Sequence, residues 1–198
     1  MFIYLPFVVD GYRLALNKDP AFQVEETFLV PPGAMKLLPI FGKEPCSLSV
    51  GERYISFAND TICILSRIPA NDGFNVDGAI PQSSLEEIDV NVDDFIGELK
   101  YLNEFLPGTC REAVRFDRGT LSLKTPAAEC QSTLELSQIP QTVCGFSAKY
   151  MLDGLEQFHA KKVKTVLMGL TSPVSPILLT DDDSSDLAMV LPCRLKAA

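Results

Sequence analysis

Apolar positions along this chain switch between two periods, one of three to four residues and one of two. Segment 88–106, IDVNVDDFIGELKYLNEFL, puts Phe95, Ile96, Leu99, Leu102 and then Phe105 or Leu106 on one helical stripe. Asp93 and Asp94 fall in its first turn, where the helix dipole favours carboxylates, and Pro107-Gly108 is expected to stop it. Segment 144–159, CGFSAKYMLDGLEQFH, repeats the design: Tyr150, Met151, Leu152, Leu155 and Phe158 form the stripe. Ser147 is its predicted N-cap, and Lys161, Lys162 and Lys164 form a cationic end. Segment 28–41, FLVPPGAMKLLPIF, predicts a shorter helix that Pro39 ends.

Each predicted helix is followed by residues of period two, in the runs 47–68, 112–139 and 164–195. Turn signals at Gly51, Asn59-Asp60, Asp117-Arg118-Gly119, Pro126 and Asp181 to Ser185 cut these runs into short strands. The repeating unit is therefore strand, helix, then three strands in hairpins. Aligning Met35, Phe95 and Met151 spaces the units by 60 and 56 residues. The expected class is α+β, antiparallel sheets with helices on one face. A single strand, residues 2–9 continuing through Leu14 to Leu16, precedes the first unit like the tail of an earlier one. The Gly-, Pro- and Asn-rich stretch 69–84 is the expected boundary, giving a partial domain at 1–78 and a complete two-unit domain at 79–198.

Composition narrows the function. With 198 residues and 46% hydrophobic content the chain can bury a real core. A formal charge of −9 argues against a surface that coats nucleic acid throughout, though a locally basic face is compatible with it. Six cysteines, Cys46, Cys63, Cys110, Cys130, Cys144 and Cys193, lack C-x-x-C spacing and are expected to be reduced and buried. The apolar start MFIYLPFVV has no basic flank or small-residue cleavage site and meets Asp10 too early to span a membrane, so it predicts a buried strand and a cytoplasmic protein.

Little here suggests catalysis. His159 is the only histidine and is expected on the surface near a helix end. DDDSSD at 181–186 and NDGFNVDG at 71–78 lack the glycine and glutamate pattern of a calcium loop, and no phosphate-binding or dinucleotide fingerprint occurs. The chain is expected to use no metal or cofactor and to be no enzyme. Two other motifs stand out: DGYRLA at 10–15, by itself a hairpin turn with an exposed arginine, and MVLPCRL at 189–195, by itself an edge strand in which Pro192 blocks unwanted pairing.

Taken together, the tandem units, DGYRLA and the ending SPILL…MVLPCRL resemble the bacterial replicative sliding clamp, the β subunit of DNA polymerase III. The resemblance covers essentially the whole chain, from within the family's middle domain to its C-terminus. It implies a non-catalytic processivity factor associated with a DNA-directed DNA polymerase. It also implies that the D-G-x-R-L turn and the C-terminal segment lie side by side as an apolar pocket. There, polymerases, the clamp loader and repair proteins dock short Q-L-x-L-F-like peptides. Carried over, the pocket residues are Gly11, Tyr12, Arg13 and Leu14 from the turn and Met189, Leu191, Pro192 and Cys193 from the end. Arg194 and Leu195 complete the ending, and Gly78 with Ala79 supplies a further piece of wall. A few large side chains anchored in such a pocket would bind at micromolar strength and exchange readily.

The resemblance further implies weak, non-specific contact with double-stranded DNA through helix lysines, here Lys36, Lys100, Lys149, Lys161 and Lys162. Where many family members read V-P-R-K-G, this chain reads VPPGA at 30–34 and lacks both basic residues. It also has no counterpart of the family's first domain, so ordinary head-to-tail ring closure is not expected. A half-domain of this kind should expose an apolar sheet edge and helix face, predicting self-association or a covering partner. The alternative function is a peptide-binding clamp-like module, or decoy, that does not encircle DNA.

Overall fold

The computed structural model describes residues 7–17, 28–70, 75–106, 112–182 and 186–195. These residues fall into two compact units, one holding residues 28–70 and 75, the other residues 7–17 and 76–195.

In the first unit, α1 (Pro32–Met35) begins with proline in its first turn, where a missing N–H costs nothing. It is shorter than expected and stops four residues before Pro39, which instead opens a 3-10 turn at Leu38–Phe41. Strands β3 (Ser47–Val50), β4 (Tyr54–Ala58) and β5 (Cys63–Arg67) follow as an antiparallel sheet. Phe41, Ile55, Phe57 and Ile64 form its core.

In the second unit the expected grammar appears twice. Strand β6 (Glu86–Asn91) runs into α3 (Val92–Glu104), then β7 (Val114–Asp117), β8 (Thr120–Lys124) and β9 (Glu129–Thr133). Strand β10 (Cys144–Phe146) runs into α4 (Ala148–Ala160), then β11 (Thr165–Leu170), β12 (Ile177–Thr180) and β13 (Asp186–Val190). Both long helices are capped where their strands end. Asn91 Oδ1 accepts from the Asp94 N–H at 3.1 Å, and Ser147 Oγ from the Tyr150 N–H at 3.4 Å. The stop signal Pro107-Gly108 lies outside the described residues, whereas α3 itself ends at Glu104.

The N-terminal residues form a hairpin, in keeping with the turn reading of DGYRLA and not with one continuous strand through Leu16. Strand β1 (Phe7–Val9) turns at residues 10–12 and returns as β2 (Arg13–Asn17); residues 2–6 of that expected strand lie outside the described residues. The reason is local: Gly11 takes a φ of +82°, a left-handed conformation open to glycine, and the Asp10 N–H reaches the Arg13 carbonyl at 3.3 Å. Within the expected linker, Val76–Ala79 form a short helix, α2.

All strand pairs are antiparallel. One sheet has the order β1-β2-β13-β12-β11-β6 and the other β10-β7-β8-β9. The hairpin thus pairs with the last strand, so residues 7–17 group with the C-terminal part of the chain. The main core lies between these sheets and the apolar stripes of α3 and α4, with Phe95, Phe146 and Phe158 fully buried. Phe95 and Phe146 meet edge to face at 6.2 Å.

Strand β13 is covered on both faces, which explains why its sequence is apolar throughout instead of alternating. Ala188 and Val190 face the main core. Leu187 and Met189 join Leu14, Leu16 and Leu178 in a second cluster under half-buried Val76 and Ile80. Strand β6 lies at the sheet's outer edge, burying Ile88 and Val90 and exposing Glu87 and Asp89.

The cysteines depart from expectation. Cys144 is buried, and Cys130 and Cys193 are half-buried. Cys46 and Cys63 are exposed, because Cys46 precedes β3 outside the small core and Cys63 opens β5 on its solvent face. All five are free thiols, and Cys110 lies outside the described residues. No helix among the described residues is long and apolar enough to cross a membrane.

Candidate functional site

The antiparallel register of β2 and β13 sets Arg13 opposite Val190, Leu14 opposite Met189 and Ala15 opposite Ala188. Contact continues past the strand, where the Leu191 N–H donates to the Tyr12 carbonyl at 2.8 Å. Two segments that are distant in sequence therefore lie side by side. Helix α4 crosses the same sheet face. Gly154 permits the close approach, since a β-carbon built there would sit 3.3 Å from the Ala188 side chain.

Between the hairpin, α4 and β13 lies an open cleft of about 390 Å³. Ala15, Gly154, Ala188 and Val190 contribute small or apolar floor, while Asp10, Arg13, Tyr150 and Asp153 line its polar side. Val8 stands at the rim, 67% exposed. The rings of Tyr12 and Tyr150 stack with centroids 5.7 Å apart, and the Arg13 guanidinium carbon lies 4.8 Å from the Tyr150 ring centre.

Arg13 is held on two sides. Its Nε donates to Asp10 Oδ2 at 2.8 Å, and its Nη1 donates to the Asp153 carboxylate. Asp10 also accepts the Tyr12 N–H at 3.2 Å. Burial would by itself raise the Asp10 pKa, but the Arg13 hydrogen bond and charge and the Tyr12 N–H outweigh it and hold the carboxyl below its ordinary value.

The predicted pocket residues are distributed unevenly. Arg13 lines the cleft, and Leu14 and Met189 border it, although strand alternation turns their side chains to the apolar cluster on the other face. Gly11 and Tyr12 occupy the exposed hairpin tip. Leu191, Pro192 and Cys193 run on from β13 half-buried, and the Cys193 N–H donates to the Gly145 carbonyl at 2.7 Å. They do not line this cleft. Ala79 is half-buried in α2, and its neighbours Val76 and Ile80 cover the apolar cluster. Sequence reasoning missed Tyr150, Asp153 and Gly154. Tyr150 was assigned to the core stripe, and no local signal links Asp153 to Arg13, 140 residues away.

The DNA-facing candidates are mostly engaged. Lys161 donates to Asp186 Oδ2 at 2.5 Å, and Asp186, 3% exposed, also accepts from Asn17 Nδ2 at 2.6 Å. Lys100 lies 3.9 Å from Glu156 across the α3–α4 contact. Lys36, Lys149 and Lys162 are exposed and make no ion pair with another described residue. Helix α3 carries Asp93, Asp94, Glu98 and Glu104 against one lysine. His159 Nδ1 lies 2.8 Å from Asp93 Oδ1, and Lys164 Nζ donates to Asp93 Oδ2 at 2.8 Å. The Lys164 and His159 hydrogen bonds hold the Asp93 carboxyl below its ordinary value, and Asp93 raises Lys164. Among the described residues no group of three His, Cys, Asp or Glu side chains could hold a metal ion.

Arrangements of this kind, with antiparallel sheets backing pairs of helices, define the sliding-clamp fold, and the chain has that fold. Its solved neighbours include the β subunit of DNA polymerase from Streptococcus pyogenes (TM-score 0.83, 15% identity) and the DNA polymerase sliding clamp from Bacillus subtilis (TM-score 0.82, 20% identity). The DNA polymerase III β subunit from Thermotoga maritima is another (TM-score 0.77, 21% identity). These matches cover 96%, 97% and 96% of this chain, which spans about 54% of each neighbour. No protein-family model and no curated protein matches the sequence.

Proposed function

We propose that this chain is a clamp-type, non-catalytic partner of a DNA polymerase that docks short apolar peptides between its N-terminal hairpin and its C-terminal segment. The observation that carries this reading is the β2–β13 register, extended by the bond from Leu191 to Tyr12, which brings both motifs to one open cleft with an aromatic side and an apolar floor. Tyr12, 59% exposed, offers flat apolar surface with little rotamer entropy to lose, and Tyr150, stacked on it, lines the cleft. The test is titration of a fluorescent Q-L-x-L-F peptide. Saturable binding near the micromolar range is expected, weakened by Tyr12→Ala and by Tyr150→Ala. Absence of saturable binding, or affinity unchanged in both variants, would contradict the assignment.

Between encirclement of DNA and a module that binds peptides without it, the helix charges favour the second. Helix α3 carries Asp94 and Glu104 as exposed carboxylates without an ion pair among the described residues, and Lys100 and Lys161 are already paired with carboxylates of the protein itself. Stimulation of a polymerase on circular primed DNA, lost when the circle is cut, would reverse that preference.

A further inference from the structure

We propose that the first unit is a self-association surface, on which two copies of this chain complete one another across a two-fold axis. The second unit supplies the pattern. The first strand after each of its long helices pairs with the strand that leads into the other helix: β7 with β10, and β11 with β6. The arrangement is reciprocal, so two like repeats close each other's open edges while α3 packs against α4. In the first unit β3 holds the place of β7 and β11, and the only strand it pairs with among the described residues is β4. The Gly51 N–H donates to the Tyr54 carbonyl at 2.9 Å; alternation from there aims the backbone groups of Ser49 at β4 and those of Leu48 and Val50 at the open edge.

Residues 28–30 lead into α1 as 144–146 lead into α4, but they form no strand and are half-buried where 144–146 are buried throughout. Helix α1 and the turn after it leave Met35, Leu37 and Ile40 exposed. Nor is the edge defended. The outer strands β6 and β9 carry Glu86, Glu87, Asp89 and Glu129, whereas β3 has neither charge nor proline. An open β3 edge beside an exposed α1 takes an extended segment that runs into a helix, and residues 28–35 are such a segment. One copy thus carries both halves of the match, which is the condition for an isologous contact. Charge agrees: within 28–70 Lys36, Lys43, Arg53 and Arg67 balance Glu44, Glu52 and Asp60, so two copies meet here without the repulsion that a net charge of −9 would bring elsewhere.

Sedimentation equilibrium of the full chain from about 1 to about 200 μM should show a monomer–dimer equilibrium. Hydrogen exchange of the unmodified protein should slow in residues 28–30 and 48–50 as concentration rises through that range. Val50→Pro removes an outward N–H and no bond to β4, and Leu37→Glu sets a carboxylate in the apolar contact of each copy. Each should weaken the dimer by about ten-fold or more. Leu65→Glu, an exposed position on β5 at the opposite edge of the same sheet, should leave it unchanged. A monomer at every concentration overturns the proposal, and so does a dimer whose concentration-dependent protection lies outside residues 28–50. A dimer indifferent to both Val50→Pro and Leu37→Glu, or weakened as much by Leu65→Glu, overturns it as well.

Discussion

Replacing Gly145 with alanine should loosen the C-terminal segment without touching the cleft. A β-carbon at residue 145 would lie 2.6 Å from Leu195 Cδ2 and 2.8 Å from the Cys193 carbonyl oxygen. The leucine can swing away, but the carbonyl belongs to the backbone and must retreat by roughly half an ångström to reach ordinary contact. That retreat stretches the bond from the Cys193 N–H to the Gly145 carbonyl, now 2.7 Å. Losing much of one backbone hydrogen bond costs about 1 kcal/mol, and crowding a packed site adds about as much. A total near 2 kcal/mol, with a urea slope of about 2 kcal/mol per molar, lowers the unfolding midpoint of the second unit by roughly 1 M. The control is Gly97→Ala, in the interior of α3 where an added β-carbon meets nothing within 4 Å. There the change should stabilise by up to about 1 kcal/mol, because alanine is the better helix former. Equal midpoints for Gly145→Ala and the parent protein would refute the packing argument.

Other predictions concern separate parts of the second unit and the cysteines. Leu14→Ala, at a position 2% exposed in the smaller apolar cluster, should cost about 2–3 kcal/mol in thermal or urea unfolding; a loss under about 1 kcal/mol would mean the cluster is not packed as described. Glu86 accepts from the Thr142 hydroxyl at 2.7 Å and from the Gln141 N–H at 2.6 Å, and these bonds hold its carboxyl below its ordinary value of 4.5. A carboxyl depressed in the folded state stabilises above the unfolded pKa and loses that contribution as pH falls through the folded one. The stability gap between the parent and Glu86→Gln should therefore be present at neutral pH and shrink below pH 4.5; a gap independent of pH would contradict this. Alkylation followed by peptide mass analysis should modify exposed Cys46 and Cys63 quickly and Cys144 only after unfolding. Burial pushes the Cys144 thiol up to about 12, and labelling it as fast as Cys46 would contradict the packing.

Much of the fold was legible because helix and strand periods were cleanly separated. Phe95, Leu99 and Leu102 on α3, and Met151, Leu155 and Phe158 on α4, are buried as their spacing requires. Hairpin turns fall at Gly51, Asn59 and Arg118-Gly119 because local turn chemistry determines them. The β1–β2 hairpin was harder to read, since apolar residues continue on both sides of a turn whose signal is one glycine. The short first helix ended before its proline because four residues cannot hold a helix against the 3-10 turn that Pro39 begins. The site divides along the same line. That the two motifs lie side by side was implied only by the family resemblance they carry, whereas Asp153 and Tyr150 enter through tertiary contact with Arg13, which no local pattern records.

Hydrogen exchange of the full chain with and without a saturating Q-L-x-L-F peptide tests the central claim most directly. Slower exchange should appear together in residues 12–15, 150–154 and 188–191, the three segments around the cleft. Protection confined to other parts of the chain, or to only one of those segments, would contradict a shared docking cleft between the two ends.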